Sequence, residues 1–257
     1  MLIDTHCHLD AAEFDSDRAA VAARARAAGV AQIVIPAVAR DNFEVVRELA
    51  EREPGCVFAS GIHPMYTPQA QEQDLTALDA ELARGGQIAV GEIGLDYFVD
   101  GLDGPRQAWF FAEQLKLARA HGLPVLLHAR RAQDAILKQL RRIRVAGGIA
   151  HAFNGSRQQA DEFVRLGFAL GFGGAMTYPR ALRIRELAAS LPWEAIVLET
   201  DAPDIAPEFA HGQRNEPAHL ARIAQVLADL RGVSVDEVAE RTARTARRVL
   251  PRLPSTP

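Results

Sequence analysis

A chain of 257 residues with 48% hydrophobic and 24% charged residues can bury a sizeable core, as one large α/β domain or two small ones. Its net charge of −4 excludes the bulk basic field of proteins that coat long nucleic acid. Only two cysteines, Cys7 and Cys56, argue against a disulfide framework; no apolar run reaches membrane-spanning length and no basic-then-apolar leader opens the chain, so a cytoplasmic protein is expected.

The chain opens MLIDTHCHLD. A strand over 2–6 (LIDTH) places His6 and His8 on one side near its carboxyl end, because residues i and i+2 of a strand share a face. Cys7 then points the other way, toward a helix layer, as a small buried residue. Residues 16–28 read as a helix with Ser16 as N-cap. Strands follow at 32–37 (QIVIPA), 57–62 (VFASGI) and 87–92 (QIAVGE), then a helix over 105–120 with Pro105 at the first helical position. Strands at 124–128 (PVLLH), 148–152 (GIAHA), 168–172 (FALGF) and 196–200 (IVLET) complete the set. Helices near 217–230 and 234–249 close the chain, the second opened by a capping box of Ser234 and Glu237.

Eight apolar strands alternating with helices predict a (β/α)8 TIM barrel; a doubly wound open sheet is the alternative, but normally has fewer strands. No linker or low-complexity segment divides the chain, so 1–257 is expected to form a single domain. The long connections 63–73, 93–104 and 201–216 all follow strands and therefore lie on the carboxyl face, where barrel enzymes keep their sites.

The chemistry-bearing residues fall at strand ends: His6 and His8, His63 in GIHP, Glu92 in VGEIGLDY, His128 in LLHAR, His151 in IAHAFNG and Asp201 in LETDAP. His121, His211 and His219 fall in helices or loops and read as surface residues. Clustering imidazoles and carboxylates on one rim costs desolvation and repulsion unless a cation joins them. The donors exceed what one tetrahedral ion with an open position takes, and suit two ions sharing a carboxylate. Glu92 is the natural bridge, since its strand lies between the two histidine sets, and Asp201 can both ligate and accept a proton from the attacking water. Imidazole favours zinc, manganese, iron or nickel over magnesium or calcium without deciding among them.

DTHCHLD, GIHP, VGEIGLDY, QLKLARAHGLPVLLHAR, HAFNG and LETDAP follow one another with the order and spacing of the TatD-type metal-dependent hydrolases, which the chain resembles over nearly its whole length. The resemblance implies a TIM barrel of the amidohydrolase type and hydrolysis of DNA phosphodiesters at a divalent metal centre. It implies the ligands His6, His8, Glu92, His128, His151 and Asp201. Two departures stand out. Relatives often read His-Cys-Phe-Ser-Gly where this chain has His151-Ala152-Phe153-Asn154-Gly155, which changes the loop beside a ligand. They often carry Asn where Thr245 appears, a helix position far from the strand ends, with a structural consequence only.

His63, Arg130 and Asn215 are candidate substrate contacts: the histidine as proton donor, the others holding a phosphate or a nucleotide edge. For each the competing reading is structural, a turn residue, a salt bridge or a loop cap. Arg131 and Arg214 add loop cations that mildly favour a phosphate-bearing substrate, and Tyr97 reads as packing. Asp4 and Glu199 share strand faces with His6 and Asp201 and are expected to accept hydrogen bonds beneath the ligands. The leading expectation is a metal-dependent phosphodiesterase, a deoxyribonuclease working from DNA ends as a monomer with two divalent ions (zinc, manganese, nickel, iron or magnesium). The alternatives are a small-molecule amidohydrolase or esterase, an aminoacyl-tRNA deacylase on the same barrel, and a non-catalytic metal-binding protein.

Overall fold

The computed structural model describes residues 1–254. Eight parallel strands run in chain order round one sheet: β1 (Leu2–Asp4), β2 (Val30–Pro36), β3 (Cys56–Ser60), β4 (Ala89–Asp96), β5 (Val125–Arg130), β6 (Gly148–Ala150), β7 (Phe168–Phe172) and β8 (Ile196–Leu198). The first and last strands meet where Thr5 donates to Leu198 O through its amide at 3.1 Å and its hydroxyl at 3.0 Å, which all but closes the sheet into the expected TIM barrel. Helices α1 (Arg18–Ala27), α2 (Phe43–Arg52), α3 (Glu72–Arg84), α4 (Gly104–Ala120), α5 (Gln133–Arg142), α6 (Arg157–Arg165), α7 (Leu182–Ser190) and α8 (Leu220–Arg231) follow successive strands, and α9 (Val235–Val249) ends the set.

The strands are largely apolar because both faces are covered. Ile33, Ile35, Phe58, Leu127, Leu170 and Leu198 pack outward against the helices. Ile3, Val34, Ala59, Leu126, Ile149 and Val197 fill the barrel, joined by Ala243, Ala246 and Val249 of α9. Helix α9 therefore plugs the amino-terminal mouth, and its Thr245 hydroxyl donates to Trp193 O at 2.8 Å, the structural role expected there. With one mouth sealed by apolar side chains, only the carboxyl-terminal mouth is left to gather polar ones.

Several boundaries differ from the sequence reading. Strand β4 runs past 92 to Asp96, because Gly94, Leu95 and Asp96 continue pairing with His128, Ala129 and Arg130. Gly94 permits this: with φ at +153°, a Cβ there would lie 2.0 Å from His128 O. Strands β1, β6 and β8 stop two residues short of the expected ends, as the chain turns to present side chains at the rim. Asp17, not Ser16, holds the N-cap position of α1 and makes no side-chain cap, since Arg214 takes its two oxygens at 2.8 Å each. Gly104 precedes Pro105 at the start of α4, and Asp103 caps it by accepting from Arg106 N at 3.0 Å. Ser234 caps α9 by accepting from Glu237 N at 3.2 Å.

Candidate metal centre

The two opening histidines stay on one side although β1 ends before them. Backbone bonds carry the extended chain onward: Cys7 N donates to Val34 O, Asp201 N to His6 O and His8 N to Ala202 O. Cys7 packs in the outer core, fully buried, while His6 Nε2 and His8 Nε2 converge to 3.4 Å. Arg18 pins the turn that follows, its Nε donating to Leu9 O at 2.8 Å and its Nη2 to Asp10 O at 3.0 Å.

Glu92 is the hub of the rim. Its Oε2 lies 3.2 Å from His6 Nε2 and 3.4 Å from His8 Nε2. Its Oε1 lies 2.8 Å from His151 Nε2, 3.0 Å from His128 Nδ1 and 3.4 Å from His63 Nε2. Asp201 closes the first set, its Oδ1 3.7 Å from both His6 Nε2 and His8 Nε2. One carboxylate thus turns one oxygen to each histidine set.

The fit to metal can be tested on spacing. A metal–nitrogen bond of about 2.0–2.1 Å implies tetrahedral donors about 3.4 Å apart. The separations of 3.2–3.7 Å among His6, His8, Glu92 and Asp201 match that edge. Three overlapping groups have ligand atoms close enough to share an ion: His6 with His8 and Asp201, His6 with Glu92 and His151, and His63 with Glu92 and His128. The donor set of imidazole nitrogen and carboxylate oxygen suits a divalent transition ion.

The electrostatics carry the same message. Burial by itself would raise Glu92, but the surrounding imidazoles outweigh it and hold the carboxyl well below its usual range. Burial lowers His6 to about 3, with His151 adding to the effect, while His8 rises to about 9 and His151 to about 10 because Glu92 overrides their burial. Adjacent rings are driven in opposite directions because a few protons must be shared among carboxylates that need more positive charge. A divalent cation supplies it without protonating the rings.

His63 both turns the chain and reaches the centre. Its Nδ1 accepts from Met65 N at 3.2 Å, capping the turn Pro64–Tyr66, which leaves Nε2 toward Glu92. Arg130 stands at the mouth with its guanidinium 3.7 Å from the Phe98 ring centroid. Asn215 corrects the expectation of a substrate contact: it is fully buried, its Nδ2 donates to Thr200 O and Asp204 O at 2.8 Å each, and its Oδ1 accepts from Glu216 N. It staples the 201–216 connection from within. Arg214 is likewise committed, to Asp17 and over the Phe14 ring at 4.6 Å. Tyr97 is exposed rather than packed.

Both acids beneath the ligands accept hydrogen bonds from interior donors, as expected, and neither lies within hydrogen-bond distance of a ligand imidazole. Glu199 follows inward-facing Val197, accepts from Ala152 N at 2.5 Å and lies 3.9 Å from His151 Nδ1. Gly171 makes the room, since a Cβ there would meet Glu199 Oε2 at 2.0 Å. Asp4 instead accepts from Thr200 Oγ1 at 2.6 Å, Thr200 N at 2.9 Å and His6 N at 3.3 Å. Ile3, not Asp4, takes the inward position on β1, and no imidazole reaches the Asp4 carboxylate.

Three residues of the site escaped the sequence reading. Asp96 Oδ2 lies 3.0 Å from His128 Nε2. Its signal was the even spacing from Glu92 along one strand face. Gln107 and Gln114 are buried on α4, seven residues apart and so on one helix face. Each amide clamps a backbone residue twice: Gln107 bonds Asp96 N at 2.8 Å and Asp96 O at 3.0 Å, and Gln114 bonds Ile62 N at 2.7 Å and Ile62 O at 3.0 Å. They hold the strand ends that present Asp96 and His63.

Comparison with known proteins places this geometry. A family model described as TatD related DNase matches residues 3–251. An uncharacterized metal-dependent hydrolase of Escherichia coli K12, YjjV, is 44% identical over 241 residues, 93% of each chain. Its crystal structure superposes with a TM-score of 0.94 at 42% identity, covering 97% of this chain and 98% of that one. The human deoxyribonuclease TATDN3 is 32% identical over 265 residues, 98% of this chain and 95% of its own length.

Proposed function

The chain belongs to the TatD-related family and is a metal-dependent hydrolase, and from that premise we propose that it cleaves phosphodiester bonds of DNA from strand ends, using two divalent ions held by the rim. The observation that carries the reading is Glu92, whose two oxygens face two separate histidine sets. His6, His8 and Asp201 would hold one ion; His128 Nδ1 and His151 Nε2, 3.4 Å apart, would hold the other, and Glu92 would serve both. When bound, such a pair lowers the pKa of water and neutralises the non-bridging oxygens of a phosphoryl group.

The chain's own groups supply the rest. Asp201 borders the cleft, and its burial raises its proton affinity, which suits a base that takes a proton from the attacking water. His63, with Nδ1 occupied by an amide, carries its proton on Nε2 and donates toward the phosphate or leaving group. Arg130 anchors phosphate at the mouth. The cleft volume of about 1200 Å³ exceeds the common range for small-molecule pockets and suits a short stretch of strand. The human relative's name, deoxyribonuclease, supports the same substrate class. With a net charge of −4 no long basic track is available, so only a terminal segment is gripped, with little sequence preference.

The test is a hydrolysis screen of purified protein with several divalent metals against an activated phosphodiester, an activated ester, and end-labelled linear and closed circular DNA. Metal-dependent release from linear ends is expected, with circles resistant. Rapid cutting of circles would overturn end-dependence, and ester turnover without any phosphodiester turnover would move the small-molecule hydrolase reading to first place.

A further inference from the structure

The loop after β4 and the end of β5 bring together an aromatic ring and two cations, of which the chemistry at Glu92 uses only Arg130. Phe98 is 43% exposed beside the cleft, although residues of its size usually bury. Its position is enforced. Asp96 Oδ1 accepts from Phe98 N at 2.8 Å and from Val99 N at 3.0 Å, Tyr97 N donates to Arg130 O at 2.9 Å, and Gln107 clamps Asp96 from behind. A loop tied at four points does not expose its phenyl ring through slackness.

Arg130 and Arg131 lie with their guanidinium carbons 3.7 Å and 4.6 Å from the Phe98 centroid. Consecutive residues of a strand point to opposite faces. Arg131 escapes that rule by adopting φ of 53°, a left-handed conformation uncommon outside glycine, which lets both side chains gather at one ring. Among the described residues neither guanidinium has a carboxylate or hydrogen-bond partner, whereas Arg183 on the far side of the cleft bonds Asn154 Oδ1 at 2.7 Å. Met65 and Tyr66, each 45% exposed, line the same cleft from the β3–α3 connection.

We propose that Phe98, Arg130 and Arg131 form a nucleotide subsite at the cleft mouth, the phenyl and guanidinium planes stacking an unpaired base while the guanidinium donors hold its phosphate. Stacking needs a base free of its duplex partner and tolerates any base, because every base has a π-face. The subsite therefore selects single-stranded or frayed ends by shape and charge rather than by sequence. It rests on the phosphodiesterase reading and adds to it the part that recognises the nucleoside.

Binding and turnover of short single-stranded oligodeoxynucleotides, with and without abasic positions near the terminus, test this on the metal-loaded enzyme and on Phe98→Ala and Phe98→Trp. Metal content and thermal midpoint serve as controls for folding. Wild type should bind the base-bearing strand about tenfold more tightly than its best-placed abasic counterpart, the worth of one stacked base. Phe98→Ala should erase that preference and Phe98→Trp retain it. Arg130→Gln with Arg131→Gln should weaken both strands and flatten the salt dependence of binding. Oligonucleotide cleavage with the same abasic preference in wild type and Phe98→Ala would overturn the subsite and leave the phosphodiesterase standing. Absence of phosphodiester cleavage with every metal would overturn both.

Discussion

Asp96 holds His128 by the nitrogen that faces away from Glu92: Asp96 Oδ2 lies 3.0 Å from His128 Nε2, while Nδ1 of the same ring lies 3.0 Å from Glu92 Oε1. A carboxylate at Nε2 keeps the proton there and leaves the Nδ1 lone pair for a cation. Burial opposes ionisation of Asp96, but His128 and the Val99 and Phe98 amides outweigh it and bring its carboxyl down to about 2. Asp96→Asn keeps the shape and removes the charge. The affinity for the ion that His128 would hold should fall at least about tenfold, measured by competition with a chelating indicator. Unchanged affinity for both ions would show that Asp96 does not tune His128.

On the two-ion proposal, Glu92→Gln should break the pairing, because an amide offers one oxygen where the carboxylate offers two. Elemental analysis after dialysis should find no more than one ion per chain. Chelation of the wild type should lower its thermal midpoint, since an ion that binds only the folded state stabilises it by mass action. Glu92→Gln should show a smaller drop. A variant that retained two tightly held ions would rule out the bridge.

Asp201→Asn should reduce kcat by at least about a hundredfold while KM changes little, because proton acceptance matters in the transition state more than in binding. The loss should be measured at saturating metal, which separates proton transfer from weakened ligation. Equal losses of kcat and substrate affinity would identify Asp201 as a binding group instead.

Away from the site, Arg47 and Glu81 form a buried pair between α2 and α3, with Arg47 Nη2 2.5 Å from Glu81 Oε1 and the guanidinium 4.8 Å from the Phe58 centroid. Arg47→Ala leaves buried Glu81 with only the longer Arg84 contact at 3.8 Å and should cost about 3 kcal/mol. Replacing both, Arg47→Met with Glu81→Leu, should restore most of it. Urea unfolding of the wild type and the two variants decides, and a double variant as unstable as the single one would locate the loss in packing.

Strand and helix periodicity, with no knowledge of contacts, was enough to predict the eight strands, the barrel and the rim on which His6, His8, Glu92, His128, His151 and Asp201 meet. Alternation in a strand and the one-way winding of βα units project a linear pattern onto one mouth. Asn215 and Arg214 show where that reasoning stops. Both lie in a long connection that follows a strand, yet the chain folds Asn215 under its own backbone and turns Arg214 to Asp17. A loop has no fixed period, so the direction of its side chains depends on which carbonyls and carboxylates end nearby.

The same limit explains Asp4, Asp96 and Phe98. Asp4 faces Thr200 because β1 is only three residues long and its register with β2 shifts between Leu2 and Ile3. Asp96 joins the site because Gly94 lets β4 keep its pairing with β5 for four residues beyond Glu92. Phe98 meets two arginines because Arg131 turns left-handed. Sequence by itself determined which residues share a strand end, since that follows from local geometry repeated at a fixed period. Only the tertiary structure decided which nitrogen of each imidazole faces a carboxylate, and which loop side chains stand free to meet a substrate, because those outcomes depend on distances between segments far apart in the chain.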